Sequence, residues 1–157
     1  MEVVPCHLNR HEGEAYQRLH GLTGRPAGEV DRLMTIDDLT AIAEPAAALL
    51  IELPQRDLGG QQPDWEDLQA QVAWARDRGA AVHLDGARLW ESAAGYDRPL
   101  AEIAALFDTV YVSFYKGIGA LPAAAWRAPR TSSPRCGSGG NAWAAPCLVC
   151  GPTPRRP

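Results

Sequence analysis

Phe107-Asp108-Thr109-Val110-Tyr111-Val112-Ser113-Phe114-Tyr115-Lys116-Gly117 carries an apolar, strand-like run straight into the only lysine of the chain. The run from Thr109 to Tyr115 is rich in β-branched and aromatic residues, and its continuity is that of a buried strand. Two similar runs lie upstream. One is Ala47-Ala48-Leu49-Leu50-Ile51-Glu52-Leu53, and the other leads into His83-Leu84-Asp85-Gly86-Ala87-Arg88. Between these two, Trp65 to Arg78 spaces Trp65, Leu68, Val72 and Ala75 as an amphipathic helix does and stops at Gly79. Leu100 to Phe107 has the same character ahead of the third run. Strand, helix, strand, helix, strand from residue 47 implies βαβ units with right-handed crossovers and a mainly parallel sheet. The expected class is α/β.

Open α/β sheets take their ligands at the carboxyl ends of strands, and both Asp85 and Lys116 stand just beyond strand-like runs. A lone lysine among 15 basic residues also reads, taken by itself, as an ordinary surface charge. Its setting points elsewhere: Gly117 and Gly119 follow it and let backbone approach a ligand closely. An amine and a carboxylate so placed meet the needs of pyridoxal phosphate. The lysine would form a Schiff base with the cofactor aldehyde, and the aspartate would keep the pyridine nitrogen protonated so that the ring acts as an electron sink.

HLDGARLW at 83–90 followed by FDTVYVSFYKGIGAL at 107–121 resembles the core of the threonine aldolase and β-eliminating lyase family, which has the type I fold of pyridoxal phosphate enzymes. The resemblance runs from about His7 to Leu121 and implies that residues 1–121 are part of a transferase-like large domain. It implies Lys116 as the Schiff-base lysine, Asp85 as the partner of the pyridine nitrogen, and Arg88 as the cation for a substrate carboxylate or a cofactor oxygen. A planar guanidinium suits that last role because it grips a carboxylate with two hydrogen bonds. His83, at the head of the motif, is counted with Lys116, Asp85 and His7 among the cofactor-binding residues.

The segment Pro5-Cys6-His7-Leu8-Asn9-Arg10-His11-Glu12-Gly13-Glu14-Ala15 is similar to the one in which the family stacks a histidine on the cofactor ring. His7 falls at that position and His11 competes for it. Apart from the resemblance, either reads equally as a histidine near the start of a helix over Glu12 to Leu22 that Gly24 ends. Pro54-Gln55-Arg56-Asp57-Leu58-Gly59-Gly60 leaves the first strand toward the same crevice. Aldolases of the family often carry a histidine where this chain has Gln55 or a neighbour. Gln55 can orient a water or hydroxyl but cannot act as a base at neutral pH, and it reads equally as part of a polar turn.

At 157 residues the chain has less than half the length a type I enzyme uses, and the family's phosphate-binding loop is expected upstream of the stacking histidine. Cofactor binding by this chain alone is therefore expected to be weak. From Pro122 to Pro157 no Asp, Glu, Lys, Ile, Phe or Tyr occurs, while seven of 13 prolines, three of four cysteines and five arginines do. Removing those five arginines leaves ten basic against 19 acidic residues, so residues 1–121 carry a net charge of −9 beneath the overall −4. Residues 122–157 are expected to be a disordered tail, with too few aliphatic side chains to offset ordering entropy. Reading the same stretch with GC-rich codons in a shifted frame returns a charge-balanced helix pattern, which points to a frameshift.

Cys136, Cys147 and Cys150 have no histidine after His83 to complete a zinc site, and Pro146 and Pro152 deny a redox CxxC its strand and helix. No metal is expected. No run approaches the ~20 apolar residues of a membrane span and no signal peptide pattern is present, so the reading is cytoplasmic. The acidic body argues against nucleic acid. The expected partner is a small amino acid substrate, and the resemblance implies a homo-oligomer. Two functions stand. One is a pyridoxal phosphate-dependent lyase cleaving β-hydroxy-α-amino acids to glycine and an aldehyde, whose residues serve β-elimination or transamination equally well. The other is an inactive truncated, frameshifted fragment of such an enzyme.

Overall fold

The computed structural model of the chain describes residues 7–128. Three short helices come first: α1 (His7–Arg10), α2 (Ala15–His20) and α3 (Ile36–Thr40). β1 (Ala48–Glu52) leads through α4 (Trp65–Asp77) to β2 (Ala81–Gly86), and α5 (Leu89–Tyr96) and α6 (Leu100–Ala105) lead to β3 (Thr109–Ser113) and then β4 (Ala124–Arg127). The sheet order is β1-β2-β3-β4, with the first three strands parallel and β4 antiparallel to β3. This is the expected α/β class, a mainly parallel sheet with crossover helices.

The period-two geometry of a strand sends alternate side chains to opposite faces, and the two faces differ in kind. Leu49 and Ile51, Val82 and Leu84, and Val110 join Leu39, Leu68, Val72, Ala75, Leu89, Ile103 and Phe107 in one buried cluster supplied by α3 to α6 and the turn after α6. The other face carries Leu50, Glu52, His83, Asp85, Thr109, Tyr111 and Trp126, set side by side by the strand register. Apart from Glu52 these residues are half-buried or exposed. The expectation of a fully buried third strand is thereby corrected. The apolar cluster covers one face, and the polar residues interrupting each apolar run mark the other.

Three other sequence expectations change. The helix expected over Glu12 to Leu22 shortens to α2, because Gly21 takes the left-handed conformation (φ 64°) and turns its N–H back to Gln17. The turn at Asp85-Gly86-Ala87-Arg88 starts later, since β2 runs through Gly86, and α5 follows directly. The third concerns the segment after Pro122. It contributes β4, which pairs with the otherwise open edge of β3 through Val110–Arg127 to Ser113–Ala124. A free strand edge offers a row of unsatisfied donors and acceptors, enough to order four residues of poor intrinsic strand character. Residues 129–157, including Cys136, Cys147 and Cys150, lie outside the described residues.

Gly86 closes the seam between β2, β3 and α5. A Cβ at this position would meet the Tyr111 carbonyl oxygen at 2.8 Å and the Leu89 Cβ at 3.1 Å, so only glycine lets the strands and helix approach this closely. Gly86→Ala is expected to destabilise the chain by about 1–3 kcal/mol, the usual cost of forcing an extra carbon into a packed seam. Urea melts of the two proteins check this, and equal midpoints would refute it.

Candidate active site

The carboxyl ends of β1, β2 and β3 share one edge of the sheet because the strands are parallel. Register there pairs Glu52 with Asp85, Asp85 with Tyr111, and Tyr111 with Trp126, which makes one row across the polar face. Asp85 is half-buried and its Oδ1 accepts the Ala87 N–H at 3.1 Å. Among the described residues it enters no ion pair. Lys116 lies three residues past the end of the neighbouring strand and is also half-buried. Its Nζ sits 5.6 Å from the Tyr115 ring centroid and has no carboxylate partner among the described residues.

α5 ties the lysine loop to the Asp85 turn. Trp90 donates its Nε1–H to the Ser113 carbonyl at 2.9 Å, and its ring lies 5.9 Å from Phe114. Gly117 adopts φ 79°, and a Cβ there would come within 3.1 Å of Glu91 Oε1. Arg88 immediately precedes α5, with its Nε 3.9 Å from the same Glu91 oxygen. Asp85, Arg88 and the Lys116 loop thus gather at one edge around the first turn of α5.

The histidines divide. His7 opens α1 and donates its backbone N–H to Glu52 Oε2 at 2.9 Å, which brings it to the β1 end of the row. Its ring is 3.2 Å from Glu12 Oε1 and 4.8 Å, centroid to centroid, from His11. His11 is tied to Asp57 at 3.0 Å in the loop after β1. His83 points to the same face as Asp85 but one pleat earlier. It bonds Thr109 Oγ1 through Nδ1 at 2.7 Å and stacks on Trp126 with ring centroids 5.1 Å apart. Burial pushes its proton affinity down, against the pull of the Asp85 charge, which favours a neutral ring. Its observed partners are those of a residue supporting the face from the β4 side.

Sequence reasoning passed over two residues in this row. Glu52 is 7% exposed, and both carboxylate oxygens accept backbone N–H groups, from His7 and from Arg56 at 3.3 Å. Burial raises its proton affinity, and the Asp85 charge adds to the rise. Its signal was present as a carboxylate ending an apolar strand. Tyr111 stands on the other side of Asp85, its phenol proton held more tightly by burial and by the nearby Tyr115 and Asp85. Gln55, at the head of the loop after β1, is 3% exposed and leaves Oε1 without a hydrogen-bond partner.

These residues fit pyridoxal phosphate. An amine and a carboxylate without ionic partners stand at the ends of neighbouring parallel strands, as a molecule with one aldehyde and one basic ring nitrogen requires. An orphaned buried carbonyl at Gln55 waits for a donor at the same edge. No cluster of His, Cys, Asp or Glu able to hold a metal occurs among the described residues, and none of their helices is long and apolar enough to cross a membrane.

Residues 3–122 match the family model described as beta-eliminating lyase. Aldolase vrtJ of Penicillium aethiopicum is 34% identical over 123 residues, covering 73% of this chain and 31% of that protein. A solved structure from Listeria monocytogenes, described as a candidate L-allo-threonine aldolase, shares 45% identity with a TM-score of 0.75, over 78% of this chain and 34% of its own. Another, from Exiguobacterium and described as a candidate aromatic amino acid beta-eliminating lyase/threonine aldolase, shares 43% identity with a TM-score of 0.78, over 82% of this chain and 36% of its own. The chain spans about a third of the length of these relatives.

The grip of Trp90 on the lysine loop is directly measurable. Trp90→Phe keeps the ring contact with Phe114 and removes the bond to Ser113, with an expected loss of ~1 kcal/mol. Amides of residues 114–117 are expected to exchange faster with solvent while those of α4 keep their protection. Unchanged exchange at 114–117 would show that the loop is held by other contacts.

Proposed function

Because this chain belongs to the β-eliminating lyase family, we propose that it carries the cofactor-facing edge of a pyridoxal phosphate-dependent, threonine aldolase-like enzyme. The reaction is carbon–carbon cleavage of a β-hydroxy-α-amino acid to glycine and an aldehyde. The observation that supports this most is the placement of an amine, Lys116, and a carboxylate, Asp85, neither in an ion pair among the described residues, at the carboxyl ends of adjacent parallel strands. The cytoplasmic location and homo-oligomeric assembly expected from the sequence belong to the same proposal. So does the frameshift reading of the tail, which gains support from the family match stopping at residue 122.

Pyridoxal phosphate, when bound, supplies a conjugated cationic ring into which the electrons of the breaking bond are drawn. Lys116 provides the amine that carries the cofactor, on a loop held rigid by Trp90 and allowed to turn by Gly117. Asp85 keeps a proton on the ring nitrogen, a task suited to a carboxylate that no other cation occupies. Arg88 binds the substrate carboxylate with its planar fork and is oriented by Glu91. His7 supplies an aromatic face from α1, and the Gln55 amide orients a substrate hydroxyl without removing its proton.

That last limit favours a second reading. With an amide where a base serves aldol cleavage, the same residues support β-elimination, in which the Lys116 amine would take the Cα proton and the hydroxyl would leave as water, so that no base acts on the hydroxyl.

Borohydride reduction of the chain in the presence of pyridoxal phosphate, followed by peptide mapping, tests the site. The expected label within residues 7–128 is on Lys116 alone, and it is expected to vanish in Lys116→Ala. Asp85→Ala is expected to retain the label while lowering turnover, in any form of the protein that turns over, by on the order of 10²-fold, the usual cost of removing a group that stabilises developing charge. Undiminished turnover in Lys116→Ala would overturn the proposal.

A further inference from the structure

Glu52 is a buried carboxylate to which the chemistry above assigns no task. Its two oxygens hold two separate pieces of chain: the first residue of α1, 45 positions away, at 2.9 Å, and the loop after β1, at Arg56, at 3.3 Å. Its register partner on the next strand is Asp85. We propose that Glu52 is a positioning residue that couples the charge at Asp85 to the docking of α1 and the β1 loop over the carboxyl edge of the sheet. Ionised, it accepts both backbone N–H groups. Protonated, it gives up the acceptor strength of one oxygen and loosens its hold on His7 or Arg56.

The geometry makes the coupling unavoidable. Two carboxylates on adjacent strands of one face repel, so the charge of Asp85 disfavours ionisation of Glu52. Burial of Glu52 adds to the same effect and keeps solvent from screening it. The charged and titratable groups around Glu52 are Asp85 on β2, the His7 ring on α1 with Glu12 and His11 beyond it, and Arg56 after β1. Asp57 follows and is bonded to Arg10 and His11. Only Asp85 adds a negative charge on the sheet face itself. A cation settling on Asp85 therefore removes the repulsion, favours ionised Glu52 and tightens α1, with His7, over the newcomer. By linkage the docked helix favours the cation to the same degree. The meaning for catalysis rests on the pyridoxal phosphate reading, in which the cation is the protonated ring nitrogen, whereas the coupling between the two carboxylates does not.

The test follows the backbone amide resonances of Arg56 and His7 in ¹H–¹⁵N spectra from about pH 4 to about pH 8, the window that brackets a carboxylate raised by burial. Both amides are expected to move with one midpoint above the ordinary carboxylate range. His7→Asn removes the ring of that residue, so that its own imidazole no longer contributes to the shift of its amide. In Glu52→Gln the shared transition is expected to disappear. In Asp85→Asn it is expected to move to lower pH, because the repelling charge is gone. Should Glu52→Gln fail to fold, Asp85→Asn still decides, since Glu52 is present in it. Amides that ignore pH in the parent, or a midpoint unmoved in Asp85→Asn, overturn the coupling. Saturating pyridoxal phosphate is expected to lower the midpoint as Asp85→Asn does. A midpoint that responds to Asp85→Asn and not to pyridoxal phosphate leaves the coupling standing and removes the cofactor from Asp85.

Discussion

Parallel pairing of β2 with β3 is the constraint from which the rest of the site follows. Parallel neighbours release the chain at the same edge, so a carboxylate near the end of one strand and an amine just past the end of the next are brought to one place whatever lies between them. The connection between them runs through α5 and α6, and α5 does more than cross over. It begins at the Asp85 turn and places Trp90 and Glu91 against the loop that carries Lys116. One helix thereby sets the relation between the two groups on which the proposed chemistry depends.

Close approach is obtained by omission of side chains. Gly86 lets α5 and the Tyr111 carbonyl press against the end of β2, and Gly117 turns the lysine loop under Glu91. A larger residue at Gly86 would force β2, β3 and α5 apart, and one at Gly117 would strain a backbone held at φ 79°.

The polar face of the sheet shows the opposite economy, with charge placed where burial makes it costly. Glu52 lies among the deepest groups of that face and keeps its carboxylate by satisfying two segments that have no other tie to the end of β1 at those amides. Among the described residues, no cation pairs with Asp85 beside it. A row holding Glu52, Asp85 and Tyr111 is thereby rich in acceptors.

Much of this was legible in the sequence because it depends on short-range pattern. The apolar runs at 47–53 and 109–115, the helical spacing from Trp65 to Ala75 and the stop at Gly79 determine β1, β3 and α4, since strand and helix periods are local properties of a few residues. Asp85, Arg88 and Lys116 could be singled out for the same reason, standing just after such runs. What required the tertiary structure was everything set by neighbours distant in the chain. The docking of α1 on Glu52 and the ordering of β4 along β3 follow from contacts that no local window contains. The different partners of His7, His11 and His83 arise because one packs on Glu52, one reaches Asp57 and one leans across Thr109 to Trp126. Glu52 is the clearest case. As a letter it is one charge at the end of a strand, and only the register with Asp85 and the return of α1 from 45 residues away give it a task, because hydrogen bonding and repulsion between carboxylates act through space.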